Sequence, residues 1–344
     1  METSHRIVVG DSRSLEEVAD RSVELVVTSP PYPMIELWDG LFAGLDPSVE
    51  DALESGDGEA AFEAMHAALD PVWDEVARVL VDGGIACVNV GDATRSLDGR
   101  FRVYRNHARI GRALERRGLE PLPEVLWRKP TNSAAKFMGS GTLPPNAYVT
   151  LEHEHVLVFR KGGTRSFEPG ADRRYEAAYF WEERNRWFSD VWTDVRGELQ
   201  ALDRGELRER SAAYPLEIPY RLICMYSAYG ETVLDPFWGT GTTSLAAMCA
   251  GRSSVGYELD AEFLPVFEER LADVEELSRS VADRRLADHR AFVRQRREAG
   301  DGFDHEAVHY GFPVMTDLER RIRLHAVDAV EPTDDGYRLE HVPV

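Results

Sequence analysis

Val233-Leu234-Asp235-Pro236-Phe237-Trp238-Gly239-Thr240-Gly241-Thr242-Thr243 is the stretch on which the fold turns. Val233 and Leu234 are apolar and β-forming. Asp235 is an acid, Gly239 and Gly241 flank a single residue, and small polar residues lead into Leu245-Ala246-Ala247-Met248. The order is strand, glycine turn, helix start. Such a turn lets a ligand approach the backbone at the carboxyl end of a parallel strand. The helix start offers free N–H groups to a carboxylate or phosphate. The next strand, Ser254-Val255-Gly256-Tyr257-Glu258, ends in an acid 23 residues beyond Asp235, near the spacing at which an acid grips ribose hydroxyls.

Upstream, the apolar run Val23-Glu24-Leu25-Val26-Val27 ends at Thr28-Ser29-Pro30-Pro31-Tyr32. A nearly continuous apolar run is what a strand covered on both faces requires. The Pro30-Pro31 pair fixes φ and points carbonyls outward with no N–H to compete. A serine hydroxyl and a proline carbonyl can accept hydrogen bonds from a ligand, and Tyr32 offers a face for stacking. Alone, the tetrapeptide reads equally well as a proline-rich turn closing a strand.

Together the two stretches resemble the S-adenosylmethionine-dependent amino-methyltransferases of DNA. Asp235 to Thr242 is similar to that family's cofactor loop, and Ser29-Pro30-Pro31-Tyr32 to its catalytic tetrapeptide. The tetrapeptide comes first, the order of the family's circularly permuted β group. The resemblance covers most of residues 5–262. It implies a Rossmann-like α/β methyltransferase fold with a mixed seven-stranded sheet, a small recognition segment and a C-terminal appendage. It also implies S-adenosyl-L-methionine as cofactor, held by Asp11, Thr28, Asp235, Pro236, Phe237, Gly239, Gly241, Thr242 and Glu258. In that scheme Asp235 orients the loop and the methionine amino group, Glu258 the ribose, Asp11 the adenine amino group, and Phe237 covers the adenine. Acids at strand ends also serve simply as turn or helix caps.

Catalysis would then fall to Ser29, Pro30, Pro31 and Tyr32, with no metal. Serine before Pro-Pro-Tyr goes in the family with N4 of cytosine, and Asp or Asn there with N6 of adenine. Ser29 therefore points to N4-methylcytosine in duplex DNA, with adenine N6 as the nearest rival. An RNA or protein methyltransferase is a further alternative, as is a DNA-binding module that has lost catalysis; the intact motifs oppose the latter. Carbon-5 chemistry needs a cysteine nucleophile, and none of Cys87, Cys224 and Cys249 follows a proline in a loop.

With 344 residues the chain can hold one large α/β domain plus an addition. The start, Met1-Glu2-Thr3-Ser4-His5-Arg6, lacks the features of a signal peptide. Three scattered cysteines in apolar surroundings read as core residues in a reducing cytoplasm. The net charge of −21 opposes phosphate binding by the chain as a whole. Only three of the 40 basic residues are lysines, Lys129, Lys136 and Lys161. Abundant acids with few lysines fit a halophilic archaeal source, where screening shortens to about 3 Å at 1 M salt; an acidic protein from a GC-rich genome has the same look.

The charge is uneven. Residues 95–136 hold eleven basic residues against Asp98, Glu115, Glu120 and Glu124, making them the candidate electropositive surface. Residues 36–82 hold thirteen acids against Arg78 alone, and read as a solvated acidic face of two helices rather than a mobile flap. Residues 162–212 mix arginines and aromatics without a clear period, suiting phosphate contacts and base stacking. Candidate DNA contacts are Arg128, Lys129, Lys136, Arg165, Arg173 and Arg174. His153 and His155 alternate with Glu152 and Glu154 as in an ordinary strand rather than a metal site.

The reading divides the chain into a catalytic half (1–161), a target-recognition segment (162–212), a cofactor-binding half (213–280) and an appendage (281–344). In the appendage, Arg321 to Ala329 and Tyr337 to Val342 are expected to pair as strands. Ser14 to Ala19 is expected to be a short helix with Ser14 as cap. The expected partners are double-stranded DNA and a cognate restriction endonuclease, for a monomer or homodimer.

Overall fold

A computed structural model describes residues 1–129, 138–196 and 214–344. Among the described residues ten strands form one sheet. They are β1 (Glu2–Val9), β2 (Val23–Thr28), β3 (Leu80–Val90), β4 (Leu119–Arg128), β5 (His153–Lys161), β6 (Val191–Trp192), β7 (Thr232–Asp235), β8 (Ser253–Glu258), β9 (His325–Thr333) and β10 (Gly336–Pro343). Their order in the sheet is β6-β4-β5-β3-β2-β7-β8-β1-β10-β9. The neighbours β3, β2, β7, β8 and β1 run parallel. β5 lies antiparallel between β3 and β4.

The longer helices among the described residues flank the sheet: α1 (Gly58–Val79), α2 (Asn106–Arg116), α3 (Glu217–Tyr226), α4 (Thr242–Ala250), α5 (Phe263–Leu271) and α6 (Val274–Glu298). In β2, Leu25 and Val27 point to one face, where they meet Ile218 and Leu222 of α3, Ala246 of α4 and Val281 of α6. Val26 points to the other, toward Val72, Trp73 and Val76 of α1 and Ile110 and Leu114 of α2. Strand alternation explains why Leu25, Val26 and Val27 are all apolar: successive side chains enter opposite covered layers. Helix α4 is buried at every residue, which accounts for its lack of a polar face. The result is a Rossmann-like α/β sandwich, helix on sheet on helix.

The expected seven strands are the run from β4 to β1. The sheet is longer because β6 pairs with β4 and the β9–β10 hairpin pairs with β1. The C-terminal strands thus continue the main sheet and cover its β1 edge, which would otherwise expose unpaired backbone.

Two expectations fail. Ser14 to Ala19 is not helical. The Leu15 N–H goes to Glu75 Oε2 at 2.7 Å, and the Leu15 and Val18 carbonyls accept from Arg78. Side chains of α1 have taken the groups a helix would have used. Residues 95–117 are also not a free basic surface. Arg95 pairs with Asp39, Arg102 with Glu59, Arg109 with Asp70 and Arg117 with Asp74. Four of the eight arginines between 95 and 117 are thus matched by acids of the acidic segment.

Candidate active site

The carboxyl ends of β2 and β7 are neighbours in the sheet, so Thr28 and Asp235 meet although 207 residues separate them. Asp235 Oδ1 accepts from the Thr28 hydroxyl at 2.6 Å and the Phe237 N–H at 3.1 Å; Oδ2 accepts from the Thr243 hydroxyl at 2.6 Å. Tyr214 meets Thr243 Oγ1 at 2.6 Å. One buried carboxylate therefore ties the strand of the tetrapeptide to both ends of the glycine loop. Tyr214 and Thr243 lie outside the set of residues expected to hold the cofactor; their role depends on this pairing.

Gly239 and Gly241 adopt left-handed φ of +54° and +74°. Gly241 has no room for a side chain, since a Cβ there would stand 2.3 Å from the Phe267 ring. Gly239 differs: a Cβ would meet only the Phe237 carbonyl, at 4.0 Å. Trp238, beside Gly239 in the loop, is buried and donates to Ser244 Oγ at 2.9 Å. The Glu258 carboxylate accepts from Gly239 N–H at 2.8 Å and Asp260 N–H at 2.9 Å, and burial raises its pKa above the ordinary range. Asp11 forms a turn with Arg13, accepting its N–H at 2.9 Å and its guanidinium at 2.6 Å; those bonds hold its carboxyl below the usual value.

These groups line one cavity of about 550 Å³, within the range of small-molecule sites. Asp11, Asp235, Pro236, Phe237, Gly239, Thr242 and Glu258 share it with Ser29, Pro30, Pro31 and Tyr32. Thr28 lies behind it with Asp235, and Gly241 stands at the α4 start, against Phe267. Leu37, Trp38, Leu41 and Leu45, from the acidic segment, supply an apolar wall that composition gave no reason to expect.

Tyr32 is not simply a stacking face. Its hydroxyl meets Ser29 Oγ at 3.0 Å, donates to Glu154 Oε2 at 3.1 Å and accepts from Asn89 Nδ2 at 3.0 Å. Burial, with the Glu154 charge beside it, pushes its phenol well above the ordinary pKa, so it remains a donor. Lys129 Nζ donates to Glu154 Oε1 at 2.8 Å. Asn89 and Glu154 went unnoticed in the sequence as site residues. Behind β5, His155 stacks on His107 with centroids 3.9 Å apart, and His107 bonds Asp92 at 2.8 Å.

The candidate DNA contacts are scattered. Arg128 is exposed at the end of β4, paired with Glu152 at 3.3 Å, and Lys129 follows it. Lys136 lies outside the described residues, as does part of 162–212. Arg165 pairs with buried Glu231 at 2.8 Å, and Arg165, Arg173 and Arg174 surround the Phe167 ring. Arg165 abuts Gly83, at the opposite end of β3 from Asn89. At roughly 3.3 Å per strand residue that is about 20 Å from the tetrapeptide.

Burial raises the Asp235 carboxyl from 3.8 to about 6. In the unfolded chain the group ionises near its ordinary value; in the folded protein it resists ionisation until about pH 6. The Asp235 contribution therefore favours folding at low pH and weakens the ligand-free protein as pH rises from about 4 through 6, by roughly 2–3 kcal/mol in total. Urea midpoints of wild type and Asp235→Asn should diverge across that interval and run parallel above it; a constant difference would refute the assignment.

Comparison with known proteins gives a consistent result. The DNA methylase family of the N6/N4 type matches residues 23–269. The chain is 50% identical over 328 residues to the type II methyltransferase M.MthZI of Methanothermobacter thermautotrophicus, covering 94% of this chain and 91% of that one. It is 49% identical over 280 residues to the type II methyltransferase M.MjaI of Methanocaldococcus jannaschii, covering 78% and 91%. Among solved structures, TTHA0409 of Thermus thermophilus, a candidate DNA modification methylase complexed with S-adenosyl-L-methionine, matches with TM-score 0.60 and 33% identity over 78% of this chain and 95% of that one.

Proposed function

Because this chain belongs to the N6/N4 family of DNA methylases, we propose that it methylates N4 of cytosine at a specific site in duplex DNA. The cofactor of such an enzyme is S-adenosyl-L-methionine, which supplies a methyl group already activated on a sulfonium. The site suits that molecule: a Cβ on Gly239 would project into open cavity rather than into protein, and Glu258 and Asp235 hold the loop from beneath. Asp235, Phe237, Gly239, Thr242 and Glu258 are the residues we assign to holding it, with Asp11 at the rim.

One observation supports the amino-transfer reading most: Ser29 and Gly239 line the same cavity from adjacent strand tips. An exocyclic amine is a poor nucleophile because its lone pair is delocalised into the ring. Ser29 Oγ and the Pro30 carbonyl can accept its two hydrogens, localising the pair and aiming it across the cavity. Such positioning supplies much of the rate in a displacement that needs no covalent intermediate. Ser29, where Asp or Asn would go with adenine, supports cytosine. Arg128 stands at the same end of the sheet and suits a phosphate contact. The position of Arg165, Arg173 and Arg174 gives no support to contact near the target base.

Duplex DNA incubated with the protein and S-adenosyl-L-methionine in high KCl should yield 4-methylcytosine on nucleoside mass spectrometry. A 6-methyladenine product would move the assignment to adenine. The absence of any methylated nucleoside would refute it.

A further inference from the structure

Behind Tyr32, which lines the cleft, lies an acid that neither motif contains. Glu154 on β5 is 9% exposed. An ionised carboxylate can only accept hydrogen bonds. Its Oε2 accepts from Tyr32 Oη at 3.1 Å and Asn89 Nδ2 at 2.7 Å, and its Oε1 from Lys129 Nζ at 2.8 Å. Tyr32 has a single hydroxyl hydrogen, and it is committed to Glu154. Asn89 Nδ2 also donates to the Tyr32 oxygen, at 3.0 Å. The remaining contact, Ser29 to Tyr32 at 3.0 Å, must then be donated by Ser29. Its hydrogen is drawn toward Tyr32, which leaves its lone pairs for an incoming donor.

We infer that Glu154, acting through Tyr32, fixes Ser29 as an acceptor for the exocyclic amine and takes up the proton that the amine loses. The inference rests on the amino-transfer reading above. Methyl transfer forms the N–CH3 bond with the nitrogen lone pair and leaves the former S–CH3 pair on sulfur, so the nitrogen carries one proton too many. That proton passes to Ser29 Oγ as the Ser29 proton passes to Tyr32 Oη and the Tyr32 proton to Glu154 Oε2. Protons and charge balance along the relay with no further reactant. Glu154 is thus a positioning residue and proton acceptor that need not touch the base. The cation facing it is Lys129 of the segment after β4. Arg128 and Glu152 pair farther out, Tyr214 lies near Tyr32, and His153 and His155 leave the opposite face of β5 with His107, Asp92 and Glu124.

Glu154→Gln in the full chain tests this. The amide can offer Tyr32 a hydrogen, which lets Tyr32 donate to Ser29 and turns the Ser29 hydrogen into the cleft. Once the methylated site is mapped, duplexes carrying cytosine or uracil at the target are compared for binding with S-adenosylhomocysteine present. Uracil accepts at O4 where cytosine donates at N4. Wild type should prefer cytosine, and the variant should lose about tenfold of that preference, a binding readout independent of turnover. Its single-turnover rate should fall about 100-fold and lose the acid limb of its pH profile, while Glu154→Asp keeps that limb. Tyr32→Phe preserves the ring and breaks the relay, so it should repeat both losses and stands in if Glu154→Gln does not fold. Unchanged base preference and an unchanged pH profile in these variants would overturn the proposal. A wild-type product that is not an exocyclic methylamine would instead overturn the reading beneath it.

Discussion

Replacing Ser29 by alanine should slow single-turnover methyl transfer by about 10²–10³-fold, the range found when one preorganised hydrogen-bond partner is removed from a reacting centre. The Ser29 hydroxyl is bonded only to Tyr32 among the described groups and lines the open cavity, so its loss leaves little unsatisfied in the core. Folding should change by less than about 1 kcal/mol. Cofactor affinity should stay within a few-fold, because Asp235, Gly239 and Glu258 belong to different elements. Quenched-flow measurement of the methylated nucleoside, beside calorimetric titration of S-adenosylmethionine, separates the two effects. A variant that keeps the wild-type rate would show that the Pro30 carbonyl alone activates the amine.

The second large effect is on folding. Gly241→Ala places a methyl group 2.3 Å from the Phe267 ring and 2.8 Å from Trp238, at φ +74°. Left-handed backbone costs a non-glycine residue about 1–2 kcal/mol, and forcing an extra carbon into a packed core a further 1–3 kcal/mol. A loss of about 2–5 kcal/mol should appear as a lower urea midpoint. Gly239→Ala is the contrast. It carries the backbone strain but meets no packed ring, so it should cost about 1 kcal/mol of stability while its methyl group enters the cavity and weakens cofactor binding. Equal stability losses in the two variants would contradict this division.

The local chemistry of two short stretches made the centre of the fold legible. The strand–turn–helix of residues 233–243 and the apolar run ahead of Thr28 each specify a conformation within a dozen residues. What the sequence withheld was pairing at a distance. Glu154 looked like one acid in an alternating strand, and Lys129 like a phosphate contact; their meeting depends on β4 and β5 being adjacent. Tyr214 acquired a role only because α4 presents Thr243 to it. The excess of arginine between residues 95 and 117 suggested an electropositive face because charge counted along a chain ignores which acids lie across from it in space. The segment at Ser14 had adequate helix signals and lost to Glu75 and Arg78, whose reach no local rule anticipates. The C-terminal hairpin was visible as two strands, but not its docking partner.

That partner is the earliest strand in the chain. β1 lies between β8 and β10, and its His5 side chain bonds Ser254, 249 residues later, while Thr3 bonds His341, 338 residues later. During synthesis at about 5–20 residues per second, this first strand waits on the order of half a minute for either neighbour to leave the ribosome. Its first five residues, Glu2-Thr3-Ser4-His5-Arg6, are all polar, a safer thing to hold unpaired for so long than a wholly apolar strand. The parallel centre of the sheet therefore closes late, and a nascent chain stalled before residue 250 has both flanks of its first strand still open to other chains.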